Sequence, residues 1–218
     1  MAPAKIIILR HGEKKNPFEL CATGLERSLA LQAQYLGKGA TKANAIFDPG
    51  ETPDAFFAIT LHTIELASPS AQSWELPLTT FSAVPIPVTP QSPFADSETV
   101  LNARTQQAAA EVMLSGRWDG KTVVMVWEHK HIASAKLEAA YPGTDVTLRQ
   151  LLKLNLLGSQ VPDKWEGENY DYFWVVTYDS QGAPTSFAAI QQDFDHPYDD
   201  LPHNAWGQAA TLPCDCKS

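Results

Sequence analysis

The sequence predicts an α/β protein: a three-layer α/β/α sandwich on a mainly parallel, doubly wound sheet. Three observations carry this expectation. Two continuous apolar runs, Lys5–Leu9 (KIIIL) and the core of Lys121–His129 (KTVVMVWEH), have the composition of strands covered on both faces. Stretches with helical period alternate with the strand-like runs. An aromatic, β-branched segment near the end, YDYFWVVTYDSQGAPTSFAAI, folds back on itself as a hairpin around Ser180–Pro184.

Taken in order, Lys5–Leu9 is a short buried strand, followed by a polar loop with Pro17. TGLERSLALQAQYLG, with apolar residues at Leu25, Leu29, Leu31 and Leu36 and stop signals at Gly37 and Gly39, reads as an amphipathic helix. ANAIFDP and DAFFAIT read as a second strand region, and ELASPSAQSW opens a helix. LPLTTFSAVPIPVTPQSP is a proline-punctuated connection holding a short edge strand. From Asp96, DSETVLNARTQQAAAEVML is a helix with an acidic, Ser/Asp-rich start, an alanine-rich middle and Gly116 beyond it. IASAKLEAAYPG and TLRQLLKLNLLG are further helical stretches. No repeat or linker divides the chain, so residues 1–195 read as one domain and 196–218 as an irregular tail.

The 218 residues carry a formal net charge of -9, which argues against general nucleic-acid binding, where clustered Lys and Arg must neutralise phosphates. A small anionic ligand stays compatible, because a local cationic pocket can sit on an acidic protein. No apolar run reaches the ~18 residues that span a bilayer, and IIIL is too short for the core of a signal peptide. The expected location is the cytoplasm. The three cysteines, Cys21, Cys214 and Cys216, are odd in number and sparse, unlike a disulfide framework. Cys214-x-Cys216 has no second ligand pair nearby, so a mobile, reduced tail is expected rather than a zinc site.

Ligands of open α/β sheets bind beyond the carboxyl ends of strands. One strand here delivers Arg10, His11 and Glu13, with Gly12 allowing close backbone approach. Another delivers Glu128, His129 and His131. An arginine offers phosphate a planar fork of donors. A neutral imidazole can attack phosphorus, a second histidine can hold the transferring group, and a carboxylic acid can protonate the leaving oxygen. The set is chemically complete for phosphoryl transfer without a metal or other cofactor.

LRHGEK after the first strand resembles the signature of the histidine phosphatase superfamily, the phosphoglycerate mutase-like proteins. ELCATGLERSLALQAQYL is similar to the helix that follows that signature, and GKTVVMVWEHKHI to the strand ending in the second histidine. The resemblance covers roughly Lys5 to Phe194 and marks the chain as a divergent, bacterial-type member. It implies that Arg10 grips the phosphate, His11 is the phosphorylated nucleophile and His129 completes the pocket. Glu13 or Glu128 is then the proton donor, and the sequence leaves both open.

One departure stands out. That family supplies a second arginine after the second strand, yet no Lys or Arg occurs from Ala43 through Ala103. His62 is the potentially cationic residue in the segment where the arginine belongs, and it is expected to stand in for it as a phosphate ligand. Arg27 and Arg104, on predicted helices, are expected to face solvent. His131 is expected to be structural. The His129-x-His131 pair and the Asp193/Asp195/Asp199/Asp200 cluster invite metal readings, but the first leaves the Arg10-His11 strand unexplained. The second lacks the glycine and spacing of a calcium loop. Candidate covers for a pocket are Leu76–Pro93 and Gln160–Tyr170, with Trp165 and Tyr170 as walls. The implied activity is hydrolysis or transfer of a small-molecule phosphomonoester through His11. The alternative is an impaired relative that binds a phosphorylated or other anionic ligand. Neither reading involves nucleic acid or a membrane.

Overall fold

The computed structural model describes residues 2–82, 97–208, 212, 213 and 216. A six-stranded sheet runs in the order β3-β2-β4-β1-β5-β6. Its strands are β1 (Lys5–Arg10), β2 (Ala55–Ala58), β3 (Leu78–Thr80), β4 (Thr122–Trp127), β5 (Tyr172–Tyr178) and β6 (Pro184–Gln191). β1 through β4 pair in parallel, and β5 joins β1 antiparallel as the first arm of the expected hairpin.

Alternation along the central strands shows why both faces are covered. Ile6, Ile8, Val123 and Met125 belong to one apolar cluster, Ile7, Leu9, Val124 and Val126 to the other. Successive strand side chains point to opposite faces, so a continuous aliphatic run needs a layer on each side. On one face lie α1 (Ala22–Leu31) with its π-helical extension Gln32–Leu36, and α2 (Leu61–Ser73). On the other lie α3 (Ser97–Leu114), α4 (His129–Ile132) and α6 (Leu148–Leu151), while α5 (Ala135–Ala140) follows α4. The three-layer, mainly parallel sandwich is as expected from the sequence.

Several local expectations are corrected. ANAIFDP is not a strand: Ala43–Ala45 form one 3-10 turn, and a turn follows in which the Glu51 amide bonds the Asp48 carbonyl. α2 begins well before ELASPSAQSW and runs through Pro69. Its start is fixed by Thr63, whose hydroxyl accepts from the Thr60 amide at 2.8 Å. IASAKLEAAYPG divides into α4 and α5 at extended Ala133, with Ser134 capping α5. In α1, Leu25 and Leu29 are 46% and 49% exposed, while Gly24, Arg27, Ala30 and Leu31 face inward. Gly24 sets this rotation. A Cβ there would stand 2.2 Å from the Glu13 carbonyl oxygen, so the helix presses its glycine, not its leucines, against the loop after β1.

The chain beyond β6 is irregular but anchored. Phe194 and Leu201 are buried, Trp206 packs edge-on against Trp165 and Tyr172, and the Gly207 amide bonds Asn169. Cys216 is disulfide-bonded to Cys21, which replaces the expected reduced, mobile tail; Cys214 lies outside the described residues. Disulfides persist in oxidising compartments and are reduced in the cytosol, so this pairing stands against the cytoplasmic expectation. No helix among the described residues is long and apolar enough to cross a membrane.

Candidate functional site

The register of the sheet builds the site. Arg10 of β1 pairs with Trp127 of β4, so the two strands stop level and their next residues emerge side by side. The His11 amide still bonds the Trp127 carbonyl at 3.0 Å, and Glu128 and His129 follow at once. β2 pairs with the other side of β4, and Thr60 and His62, beyond its end, reach the same point.

His11 is fully buried. Its Nδ1 lies 2.8 Å from the Gly12 carbonyl, an oxygen that can only accept, so Nδ1 carries the proton and Nε2 presents its lone pair. Burial, reinforced by the Arg10 charge, holds this imidazole well below its usual protonation range. His11 is therefore a neutral base with an available Nε2.

Arg10 is 1% exposed. Its Nη1 donates to the carbonyls of Gly167 at 2.5 Å and Glu166 at 3.4 Å, and its guanidinium lies over the Tyr170 ring, 3.9 Å from the centroid. Nη2 faces His11 Nε2 at 3.0 Å and His129 Nδ1 at 3.3 Å. The guanidinium is thus pinned through Nη1 and its back, with Nη2 shared between the two histidines and Nε left without a partner among the described residues.

His129 opens α4, with Nδ1 3.3 Å from His11 Nε2. Burial and then Arg10 lower its pKa to about 2. Glu128 divides its two oxygens. Oε1 accepts from Thr60 Oγ1 at 2.9 Å and bonds His62 Nε2; Oε2 lies 3.6 Å from His11 Nε2. Burial alone would raise this carboxyl, but the His11 ring, the His62 hydrogen bond and the Lys14 charge outweigh it and hold it well below the usual range.

Of the residues singled out from the sequence, Arg10, His11, Glu128, His129 and His62 come together. Glu13 does not join them. Both its oxygens are held by Arg27, which is buried, contrary to the expectation that it faces solvent. His62 is buried too, but its Nδ1 is 3.1 Å from the Pro17 carbonyl and its Nε2 bonds Glu128, so both ring nitrogens already face protein acceptors. His131 points away, to Asn102 at 2.9 Å, and burial lowers its pKa to about 4. Tyr170 walls the site as expected. Trp165 does not: its indole lies in the core against Trp174 and bonds the Asn169 carbonyl. The Leu76–Pro93 cover falls outside the described residues from 83 onward.

Two residues were overlooked in the sequence. Thr60 gave no signal beyond its place at the end of DAFFAIT. Lys14 follows the LRHGE run directly; its ammonium is half-buried and lies in the field of Glu128, Arg10 and Lys130, with burial the main cause lowering its pKa. It is a second cation for a pocket short of arginines.

His11, Glu128 and His129 each offer a ligand atom, all within 4.8 Å of one another, a spacing that suits a metal ion. The Arg10 guanidinium already donates toward both imidazoles, and a cation there would meet its charge at close range. The same guanidinium makes the point attractive to an anion. Fold and site together define an α/β protein with an arginine, two histidines and a glutamate gathered at the carboxyl ends of its strands.

No protein-family model matches the sequence, and no curated protein sequence matches it significantly. Solved structures are similar in chain path. A mycobacterial glucosyl-3-phosphoglycerate phosphatase is 12% identical, with 88% of this chain and 99% of that one aligned at a TM-score of 0.47. A protein called mycobacterial hydrolase 2 is 13% identical, over 99% and 95%, with a TM-score of 0.44. A protein histidine phosphatase solved with tungstate is 15% identical, over 86% and 96%, at 0.38. At such identities and scores the likeness is one of chain path, and the functional reading rests on the side chains.

Proposed function

We propose that this protein hydrolyses a phosphomonoester, or transfers its phosphoryl group, through a phosphohistidine on His11. One observation carries the reading: the unprotonated Nε2 of a buried His11, Arg10 Nη2 and His129 Nδ1 lie within 3.3 Å of one another. Phosphoryl transfer asks a site mainly for positioning and for positive charge around the equatorial oxygens. Arg10 and His129 supply the second, with Lys14 nearby. Nε2 attacks phosphorus and the ester P–O bond breaks toward oxygen. Glu128, the carboxyl left in the pocket once Glu13 is assigned to Arg27, takes a proton from the bound monoester monoanion and passes it to that oxygen. Water then attacks the phosphohistidine and gives its proton to Glu128, and the P–N bond electrons return to Nε2. No step needs a metal.

The test is turnover of an aryl phosphate by the wild type and by His11→Ala, with and without a chelator. Loss of turnover in the variant and indifference to chelation are expected. A second reading is kept by the shortage of arginine, since Arg27 is occupied by Glu13. It holds that the pocket binds a phosphorylated or anionic ligand without turning it over. Binding of inorganic phosphate by a wild type with no turnover between pH 4 and 8 would select it.

A further inference from the structure

We propose that His62, together with Thr60, is the positioning residue that makes Glu128 a proton carrier through one oxygen only. This rests on the phosphohydrolase reading and deepens it. It also replaces the expectation that His62 itself grips phosphate. Both His62 nitrogens are taken, one by the Pro17 carbonyl at 3.1 Å and one by Glu128, so the ring has no donor left for a phosphate oxygen.

What the ring does instead follows from the division of the carboxylate. Oε1 has two donors, Thr60 Oγ1 at 2.9 Å and His62 Nε2, which are themselves 3.1 Å apart. A proton on Oε1 would displace one of them. Oε2, 3.6 Å from His11 Nε2, is therefore the oxygen through which a proton can enter and leave. The His62 ring meets His11 edge-on with centroids 5.0 Å apart, which holds the carboxylate against the nucleophile's side of the pocket. Other groups facing the carboxylate are the charges of Arg10 at the end of β1 and Lys14 on the next loop, and the neutral rings of His129 and His131 in α4. None of them is hydrogen-bonded to Oε1 among the described residues.

The proton balance closes without a further reactant. A phosphomonoester binds as its monoanion, common below about pH 6, where the second phosphate proton is retained. That proton passes to Glu128 Oε2, relieving the repulsion between carboxylate and phosphate. His11 Nε2 attacks phosphorus, the P–O bond breaks, and the ester oxygen takes the proton from Oε2 and leaves as the alcohol. Water then attacks phosphorus and gives a proton to Oε2. The P–N bond breaks and its electrons return to Nε2. Phosphate takes the proton from Oε2 as it leaves.

A positioning role is separable from a structural one by the leaving group. A dinitrophenyl ester needs no proton on its leaving oxygen, whereas an alkyl phosphate does. His62→Gln is expected to lower kcat/KM on the alkyl ester by about 10–100-fold and Glu128→Gln by about 10²–10⁴-fold, with formation of the phosphoenzyme from the dinitrophenyl ester, read as the burst of dinitrophenolate, reduced far less than the alkyl ester in both. Equal losses on both esters would overturn the proposal. If His62→Gln does not fold, Thr60→Val reads the same carboxylate from its other donor and should show the same selective pattern. Independently of turnover, the exchange-protected Nε2–H proton assigned to His62 should be seen by NMR in the wild type and in His11→Ala, and be lost in His62→Gln and, as its carboxylate partner goes, lose its protection in Glu128→Gln. Its absence in the wild type would sink the idea. Should His11→Ala hydrolyse both esters as fast as the wild type, the phosphohistidine reading fails, and the assignment of Glu128 and His62 fails with it.

Discussion

Arg27 Nη2 lies 2.6 Å from Glu13 Oε1, and both side chains are sealed from solvent, at 1% and 0% exposure. The guanidinium also bonds the other Glu13 oxygen, the Pro202 carbonyl and Gln192, so one arginine joins the loop after β1, α1 and the final segment. Breaking a buried pair leaves an uncompensated charge and costs about 3–5 kcal/mol. Glu13→Gln should therefore lower the unfolding free energy by several kcal/mol in chemical denaturation, while turnover per folded molecule stays within a few-fold. A stable but inactive Glu13→Gln would return Glu13 to the list of proton donors.

The Tyr170 ring backs the Arg10 guanidinium, and its buried hydroxyl has no partner among the described residues. An unsatisfied buried hydroxyl contributes nothing by bonding, whereas a desolvated cation–π contact is worth about 2 kcal/mol. Tyr170→Phe is expected to bind inorganic phosphate as well as the wild type does. Tyr170→Leu should bind it about tenfold more weakly as Arg10 loosens. Arg10→Lys, which loses the fork, should bind about tenfold more weakly or worse. Calorimetric titration with phosphate decides; weakening by Tyr170→Phe equal to that by Tyr170→Leu would show that the hydroxyl, not the ring, matters.

Stability should depend on acid through the buried histidines. Burial first, and then Arg10, lowers His129 from 6.5 to about 2 in the folded protein, and burial lowers His131 from 6.5 to about 4. Both folded values lie below the unfolded one, so the unfolded chain binds protons first as pH falls. The stability they lend is complete above pH 6.5 and is lost through the range from there toward the folded values. Each histidine contributes a slope of about 1.4 kcal/mol per pH unit in that window. Urea unfolding at pH 7, 6 and 5 should show the decline, and His131→Asn should make it shallower. A flat profile over those points would mean the rings are protonated in place.

The path from residues to site was legible where one local pattern carried the answer. Continuous aliphatic runs announced β1 and β4, and of the polar residues at their ends Arg10, His11, Glu128 and His129 meet at the sheet's end, while Glu13 and His131 do not. Rotation of α1 was not legible, because leucine spacing favoured Leu25 and Leu29, while a glycine-to-carbonyl contact and the Glu13–Arg27 pair chose the opposite face. The choice between Glu13 and Glu128 depends on that same pair, a contact between a loop and a helix that no window of sequence contains. His62 was placed in the right pocket for a reason its surroundings do not support. The gap in Lys and Arg drew attention to it, but its neighbours Thr60 and Pro17, and Glu128 from another strand, set what its ring can bond.

Cys21 precedes α1, and its amide bonds the Glu13 carbonyl at 3.0 Å; its disulfide to Cys216 spans 195 positions and ties the end of the chain to the loop that carries the pocket. Titrating the unfolded protein for thiols before and after reduction should show a gain of two. A gain of zero would mean that no bond forms. By loop length alone the cross-link would count among the most stabilising, since closure entropy grows with the residues enclosed. The final segment is already moored by Phe194, by Leu201, by the Arg27 bond to Pro202 and by Asn169 to Gly207. That packing fixes the segment in the folded state whether or not the sulfurs are joined, so the closure entropy falls on the unfolded chain alone; reduction should cost about 4–5 kcal/mol and lower Tm by about 10–15 °C. Cys21→Ser should show the lowered Tm with no further response to reductant. A loss of 2 kcal/mol or less on reduction would instead mean that the bond, and not the packing of Phe194 and Leu201, holds the last residues in place.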